Sequence, residues 1–438
     1  MTIHVRQLHR RQFLTTSAAL AAGATLFAPA VRAANRAKRY RTALIGSGWW
    51  GTNILREAMR SDKCELVALC DVDENQLKIC GEDIGKATSD QPKHYGDFRD
   101  LLDEQKPEIV IVGTPDHWHP LIMIAAVKAG AHVYVEKPVG HTIYEGRAMV
   151  KAARDTGKVV QVGTHRRVSP HNMSGIKFLK EGHAGKIGMV RSFVHYPGDA
   201  GQKTPDAEPP KGLNWDMWCG PAPLRPFNPA IHPKGFRNFL DYANGTLGDW
   251  GIHWMDQILW WTDEKYPRKV YSGGGRHIKQ DSTTAPDTQI ATFQFDSFTA
   301  DWEHRQYADN NAEKHSIGCY FYGTKGTFHM GWLDGWTFYP SSKSGKIVHE
   351  DPTLHEPDQQ NIRELFADFL DAIENGRRSK CDIEIGHRST SMSLLAMLSL
   401  KLGRSVEWDG EREVIVGDDA ANKLLRREYR SPWVYPQA

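Results

Sequence analysis

Short apolar runs alternate with amphipathic stretches through the first third of the chain. Helical stretches separate the runs, and Gly130 and Gly157 close two of them. The runs themselves cover residues 42–46, 65–71, 108–115, 132–138 and 159–163. Nearly continuous apolar runs are typical of strands that are buried on both faces. Their alternation with helices predicts an α/β fold whose residues 38–163 form a doubly wound parallel sheet of the Rossmann type.

The pattern changes after residue 163. Loops rich in proline and glycine fill 197–235, and a helix is predicted over 248–261. Apolar residues then recur at every second position in 288–304 and 326–332, which indicates antiparallel strands. Two late helical regions follow, at 361–376 and 389–403. Residues 164–438 are therefore predicted to form a second, α+β domain.

The first 33 residues have the organisation of an export signal. Arg10 and Arg11 precede an uncharged stretch from Phe13 to Val31, and the small-residue sites at its end place cleavage after Ala30 or Ala33. The paired arginines resemble a twin-arginine signal, so we expect a periplasmic or otherwise exported protein with no stable membrane anchor after cleavage. The alternative is an uncleaved anchor, for which the stretch is short and only mildly hydrophobic.

Composition adds two exclusions. The 438 residues carry a net charge of +2, which becomes −2 without the four arginines of the leader, so nothing favours a nucleic-acid partner. Six cysteines are scattered without any C-x-x-C spacing, which indicates reduced, structural thiols.

A glycine-rich loop follows the first predicted strand. Gly46, Gly48 and Gly51 form G-x-G-x-x-G, and Asp71 ends the next strand 20 residues later. Such glycines let the backbone approach a pyrophosphate, and an acid at this distance accepts hydrogen bonds from ribose hydroxyls. The pattern predicts dinucleotide binding. Asp71 would repel a 2′-phosphate, which favours NAD over NADP.

Two later segments carry candidate acid–base groups. Lys137 precedes a proline at the carboxyl end of a strand, where its ammonium would point into the crevice; the alternative is a surface ion pair with Glu136. Asp249 and His253 are four residues apart on a predicted helix, so the carboxylate could orient the imidazole as a general base. The alternative is a purely structural Asp–His hydrogen bond.

Several tryptophans and histidines suggest further binding roles. Flat tryptophan faces stack on sugars, and Trp118 is one candidate among several. His117 and His119 could instead form a metal-binding pair, with His165 or His253 as a third ligand. We predict no metal, with His119 shaping the nicotinamide side of the crevice.

These motifs together resemble the Gfo/Idh/MocA oxidoreductase family. The resemblance rests on the glycine loop, Glu136-Lys137-Pro138 and G-x-x-x-D-x-G-x-H ending at His253, and it extends over nearly all of the chain beyond the leader. It implies a second domain with an open, mainly antiparallel sheet, used for substrate binding and for contacts in a homo-oligomer, a dimer or a tetramer. It also implies a sugar or sugar derivative as substrate, and a cis peptide between Lys137 and Pro138.

The resemblance assigns roles to individual residues. Lys137 would hydrogen-bond the reacting hydroxyl, His253 would exchange its proton, and Asp249 would assist His253. The expected contacts to NAD come from Gly46, Gly48, Trp49, Trp50, Gly51, Asp71, Thr114, Pro115, His119, Glu136 and Lys137. The expected contacts to substrate come from Trp118, His165, Arg166, Arg167 and Tyr242, with Arg237 as a further candidate.

Export of a protein that uses a soluble nucleotide constrains the reaction. A cofactor bound in the cytoplasm would have to stay bound and be regenerated in place. One hypothesis is a redox-neutral cycle between two sugars, as in the glucose–fructose oxidoreductase branch of the family. A second is a glycosidase or epimerase that oxidises a sugar ring transiently. A third is a non-redox sugar-binding or metal-dependent protein on the same scaffold.

Overall fold

A six-stranded parallel sheet forms the first domain of the computed structural model, which describes residues 38–309 and 313–437. The strand order is β3-β2-β1-β4-β5-β6. The strands are β1 Tyr40–Ile45, β2 Cys64–Cys70, β3 Lys93–Tyr95, β4 Ile109–Val112, β5 His132–Val135 and β6 Val160–Val162. The helices are α1 Trp49–Met59, α2 Glu74–Ile84, α3 Phe98–Gln105, α4 His119–Lys128 and α5 Ile143–Thr156. The predicted export signal, residues 1–33, lies outside the described residues.

The central strands of this sheet are buried on both faces. Every residue of Ile109–Val112 is inaccessible to solvent, because helices cover both sides. This burial is the physical reason for the continuous apolar runs. The short β3 and α3 have polar sequences that carry no such run, and the sequence pattern did not reveal them.

A ten-stranded sheet forms the second domain. Its strands lie in the order β14-β13-β12-β11-β7-β10-β9-β8-β15-β16. Strands β7 and β10 are parallel, and the other recorded pairs are antiparallel. The strands are β7 Ile187–His195, β8 Lys269–Gly275, β9 Thr288–Gln294, β10 Thr299–Arg305, β11 Ile317–Gly323, β12 Gly326–Gly331, β13 Trp336–Pro340, β14 Val348–Glu350, β15 Val406–Asp409 and β16 Val414–Ile415. The predicted fold class, a Rossmann domain followed by a domain with an open, mainly antiparallel sheet, is confirmed.

The remaining α-helices follow the Rossmann domain in the chain. They are α6 Pro170–Lys180, α7 Trp215–Cys219, α8 Ile252–Trp261, α9 Pro357–Glu374, α10 Ile383–Leu402 and α11 Asp419–Lys423. Helix α10 contacts β8 and α8, and its residues join the apolar core beneath the sheet. Among the described helices, none is both long and apolar enough to cross a membrane.

All six cysteines are buried and none forms a disulfide, as the sequence predicted. Burial raises the pKa of the Cys381 thiol to about 12, so this sulfur stays protonated at neutral pH. The cysteines are core residues here.

Candidate active site

The glycine loop between β1 and α1 has the close packing that its spacing predicted. Gly46 adopts a φ of +93°, and a Cβ there would lie 2.6 Å from the backbone of Gly113. A Cβ on Gly51 would overlap the carbonyl oxygen of Gly46. A Cβ on Gly48, by contrast, would meet nothing within 4 Å. The loop is thus tight on its protein side and open on the cleft side.

The first turn of α1 has the features of an anion-binding helix N-terminus. Gly48 is the N-cap, so no side chain caps the helix, and the first turn contains no acidic residue. The amides at a helix start need acceptors, and they carry partial positive charge. Together with the open space at Gly48, they fit a dinucleotide pyrophosphate.

Asp71 lies beside this loop at the end of β2. Its two carboxylate oxygens accept hydrogen bonds from the amides of Ser47 (2.7 Å) and Asp73 (3.0 Å). Burial raises the pKa of Asp71 to about 6, and these two amide donors oppose the shift. The carboxylate is therefore ionised at neutral pH and fixed in place to accept ribose hydroxyls.

Affinity for NADH should fall at mildly acidic pH. As the pH drops through 6, Asp71 takes up a proton and loses its charge, so its hydrogen bonds to ribose weaken. Because a charged acceptor forms the stronger hydrogen bond, we expect roughly 5- to 10-fold weaker binding near pH 5 than near pH 7.5. Fluorescence titration with NADH measures this dependence. Asp71→Asn should flatten it, and an equally steep dependence in that variant would contradict the role of Asp71.

The predicted cofactor residues border one cleft of about 610 Å³. Trp49 is 56% exposed and its ring lies 5.2 Å from that of Trp50. The predicted residues in the lining are Gly46, Gly48, Trp49, Trp50, Asp71, Thr114, Pro115, Glu136 and Lys137. Gly51 lies beneath the loop and His119 behind Thr114, so both support the cleft from outside its lining.

The histidine pair at 117 and 119 is used for internal packing. Nδ1 and Nε2 of His119 lie 2.7 Å and 2.8 Å from the carbonyl oxygens of Pro138 and Thr114. His117 Nε2 lies 2.9 Å from the carbonyl oxygen of Trp218. Because both ring nitrogens of His119 are engaged, the alternative of a His117–His119 metal site does not fit. The groups of possible metal ligands among the described residues do not include either histidine.

Lys137 lies at the end of the cleft, next to a cis peptide bond with Pro138, as the resemblance implied. Its ammonium donates to Asp249 Oδ1 (2.7 Å) and to the Asp249 carbonyl oxygen (2.8 Å). The alternative of an ion pair with Glu136 is therefore wrong. Arg237 also donates to Asp249 Oδ1, at 3.0 Å. Burial alone would raise the pKa of Asp249, but the two cations outweigh it and hold the pKa at about 2.

Asp249 does not pair with His253 as the four-residue spacing predicted. Residues Leu247–Gly251 form a π-turn, and α8 begins only at Ile252. The segment between the two residues is therefore not the regular α-helix that the four-residue spacing assumed. Asp249 turns towards Lys137 and Arg237, and Nδ1 of His253 has no hydrogen-bond partner within the protein. Asp249 thus positions Lys137, and its predicted direct assistance to His253 is wrong.

His253 is buried among aromatic rings. The centroid of its ring lies 5.3 Å from that of His165 and 5.1 Å from that of Trp332. Burial lowers the pKa of His253 well below the usual range, and the nearby Lys137 charge adds to this. The imidazole is therefore neutral at neutral pH and able to accept a proton.

Arg166 is next to this cluster, among buried side chains. Its guanidinium stacks 3.5 Å from the centre of Trp332 and donates to the Trp332 carbonyl oxygen and to Asp358. Burial lowers the pKa of Arg166 to about 10. Its Nε has no partner within the protein. Arg166 and His165 therefore stay candidates for substrate contact.

Three other substrate candidates have structural roles. Arg167 forms a two-pronged ion pair with Asp256. Tyr242 is inaccessible to solvent and its hydroxyl lies against Cys219 and the Pro223 carbonyl. Trp118 is one of the residues that line the cleft, but it is only 4% exposed and its indole donates to the Trp218 carbonyl. Polar side chains on loops looked like ligand contacts in the sequence, but long-range partners satisfy them here.

The sequence did not reveal two residues of the site. Trp332 follows β12, and its ring packs on those of His165 and His253. Asp116 lines the nucleotide cleft. Burial raises the pKa of Asp116 to about 7, and the Arg237 cation opposes the shift. Asp116 adjoins Thr114-Pro115, so its position after β4 was an available signal. Nothing local marked Trp332.

Comparison with known proteins agrees with this arrangement. Residues 40–164 match the model of the Gfo/Idh/MocA oxidoreductase family, NAD-binding Rossmann fold, and residues 193–435 match the model of its C-terminal alpha/beta domain. A glycosyl hydrolase family 109 protein of Stenotrophomonas maltophilia is 32% identical over 186 residues, 41% of this chain and 40% of that protein. A D-apiose dehydrogenase of Paraburkholderia graminis is 30% identical over 34% of this chain and 38% of that protein. The chain thus spans less than half the length of these curated relatives.

Solved structures share the fold over most of the chain. Levoglucosan dehydrogenase in complex with NADH and levoglucosan superposes with a TM-score of 0.66 at 18% identity, over 84% of this chain and 99% of that one. An aldose-aldose oxidoreductase from Caulobacter crescentus, complexed with glycerol, superposes with a TM-score of 0.65 at 20% identity, over 84% of this chain and 100% of that one. With both of its domains matched in order, the chain belongs to the Gfo/Idh/MocA family of oxidoreductases.

Proposed function

We propose that this protein is an NAD-dependent oxidoreductase of a sugar or sugar derivative, and that it keeps its cofactor bound and regenerates it in place. The observation that carries the proposal is the ammonium of Lys137, held by Asp249 at the end of the nucleotide cleft. A cation fixed at that position stabilises negative charge on a reacting oxygen.

Different side chains of the protein have separate roles in alcohol oxidation. Lys137 hydrogen-bonds the substrate hydroxyl and stabilises the developing alkoxide, and neutral His253 accepts the proton. Asp249 and Arg237 fix Lys137 and keep its position while charge develops. Bound NAD supplies the hydride acceptor for this step.

Buried polar atoms without partners favour a polyhydroxylated substrate. Buried polar groups in proteins almost always have hydrogen-bond partners. Several at the cleft and in the His165–His253 cluster lack one within the protein: Thr114 Oγ1, His165 Nδ1, Arg166 Nε and His253 Nδ1. Sugar hydroxyls both donate and accept, so they match this mixed set. The names of the apiose and levoglucosan dehydrogenases point to the same substrate class.

A second candidate is a glycosidase that oxidises the sugar ring transiently. Several of the relatives are named glycosyl hydrolase family 109 proteins. Oxidation of a ring hydroxyl acidifies the adjacent C–H, so a base can remove that proton and expel the glycosidic oxygen. Addition of water to the double bond would follow, and a bound cofactor would supply the hydride that reduces the carbonyl again. The cycle is redox-neutral, and it also needs a retained cofactor.

Export and self-association complete the proposal. Residues 1–33 have the organisation of a twin-arginine-type signal, a route that carries folded proteins with their cofactors. Cell fractionation and N-terminal sequencing test the export. For a dimer or tetramer we place the contact on the open sheet face, where Met189, Tyr271 and Ile290 are exposed. Light scattering of the purified protein measures the oligomer size.

The bound content of the purified protein tests the central claim. We expect denaturation to release close to one equivalent of NAD(H) per chain, with little NADP(H). Single sugars or aryl glycosides are then added without any external acceptor. Cleavage supports transient oxidation, and turnover only with a second carbonyl compound supports the two-sugar cycle. A protein that neither contains nor binds NAD(H) contradicts both.

A further inference from the structure

Part of the second domain borders the nucleotide cleft. Residues 217–218, 232–234 and 236–237 line it together with the glycine loop. Resting on the proposed function, we propose that residues 211–237 form a clasp that closes the ribose side of the cleft and makes dissociation of NAD slow. The clasp provides the retention that an exported, self-regenerating enzyme requires.

The clasp is attached by backbone pairing next to the ribose carboxylate. Asp73 and Leu213 form an antiparallel bridge. The amide of Glu74 donates to the Gly212 carbonyl (3.0 Å), and the amide of Asn214 donates to the Val72 carbonyl (2.9 Å). This bridge begins two residues after Asp71, the predicted ribose ligand.

A side-chain contact adds a second attachment at the same place. His232 Nε2 lies 2.8 Å from Asp73 Oδ2, and both side chains are less than 10% exposed, at 8% and 6%. The amide of Asp73 in turn donates to Asp71. The clasp therefore contacts Asp73, which in turn hydrogen-bonds Asp71, the carboxylate predicted to bind ribose.

The clasp is rigid because it has an apolar core of its own. Trp215 and Trp218 stack with their ring centroids 4.6 Å apart, and Phe227, Ile231 and Phe236 pack in the same cluster. A segment with a packed core moves as a unit, so an opening breaks its attachments together.

A third attachment explains the histidine and tryptophan at 117 and 118. The carbonyl oxygen of Trp218 accepts hydrogen bonds from His117 Nε2 (2.9 Å) and Trp118 Nε1 (3.0 Å). Lys234 lies 5.3 Å from the ring centre of Trp49, across the cleft entrance. The clasp thus contacts the Rossmann domain after β2, after β4 and at the start of α1.

Loss of the His232 contact should speed release of the cofactor. We expect His232→Ala in the full chain to raise the NADH dissociation rate about 10-fold, since a buried hydrogen bond to a carboxylate is lost. The rate is measured as the fall in NADH fluorescence after mixing with excess NAD. The matched control is His349→Ala, which removes an exposed histidine–aspartate contact outside the cleft and should leave the rate unchanged.

A reversible cross-link tests the clasp by comparing the oxidised and reduced forms of one variant, both of which lack the Asp73 carboxylate and its contact with His232. The bonds flanking Asp73 and Leu213 make them a non-hydrogen-bonded antiparallel pair, with Cα atoms about 4.5 Å apart, within the range that a disulfide spans. The double variant Asp73→Cys/Leu213→Cys is loaded with NADH and then oxidised. We expect release at least about 10-fold slower than from its reduced form, because opening is blocked.

The outcomes separate the two proposals. Equal release from the oxidised and reduced cross-link variant, with an unchanged rate in folded His232→Ala, overturns the clasp while NAD binding stands. A parent protein that binds no NADH overturns the proposed function and the clasp with it. Slower release on oxidation, reversed by reductant, supports the clasp even where His232→Ala fails to fold.

Discussion

Replacing Lys137 by alanine is expected to lower kcat by about 10³-fold and to leave NADH affinity within a factor of about two of the parent. Lys137 is the cation that meets the reacting oxygen, and its charge matters most when that oxygen becomes negative. The nucleotide loop and Asp71 do not depend on it. Steady-state kinetics and NADH fluorescence titration give the two numbers separately.

The control for this variant is Lys128→Ala, which removes an exposed lysine from the last turn of α4 in the same domain. It should have the kcat of the parent. Asp249→Asn is the second comparison, because it removes the negative charge that holds Lys137 while keeping an oxygen that can accept its hydrogen bond. We expect a smaller loss in kcat, about 10- to 100-fold, with KM little changed. A Lys137→Ala enzyme with nearly full kcat would reduce Lys137 to a structural ion pair.

Replacing Gly51 by alanine should abolish NADH binding and lower Tm. The added Cβ would overlap the Gly46 carbonyl oxygen and lie 3.3 Å from Leu44 Cδ1. The backbone cannot yield there, because Gly46 in turn contacts Gly113. Forcing a methyl group into such a site costs about 1–3 kcal/mol or more. We expect the affinity to fall more than about 100-fold as the loop is displaced. Thermal unfolding and NADH titration measure both effects.

Gly48→Ala is the matched control, with the same substitution in the same loop. Gly48 has a φ of −65°, which any residue adopts, and its Cβ would meet no protein atom within 4 Å. Tm should therefore be that of the parent. NADH affinity should still fall, because the new methyl group occupies the space in which the pyrophosphate meets the amides of α1. If Gly48→Ala binds NADH normally, the phosphates lie elsewhere.

The first domain could be predicted well because its pattern is local. Strands buried on both faces need continuous apolar runs, and tight turns need glycine, so both leave a signature within a few residues. The strands β9 and β10 were visible as a two-residue alternation, but β7 and β11 were not. These two mix glycine, polar and aromatic residues, and their burial depends on which neighbours the sheet supplies.

The residues of the site also differ in whether local sequence or distant contacts determine their role. Gly46, Asp71 and Lys137 were predictable from the sequence, because each follows a strand at a position where the chain geometry determines its surroundings. Arg167 and Tyr242 were assigned to substrate because arginine and tyrosine on loops commonly bind ligands. Their actual partners, Asp256 and Cys219, are far away in the sequence, and no local pattern connects them.

By itself, the sequence determined the family, the order of the two domains, the nucleotide loop and the preference for NAD, since these depend on short-range spacing and residue type. The tertiary structure decided what each polar group binds. A π-turn directed Asp249 to Lys137 in place of His253, burial beside Trp332 left the imidazole neutral, and the pairing of Asp73 with Leu213 brought the clasp against the cofactor cleft. Each depends on contacts between distant residues, and those contacts exist only after the chain has folded.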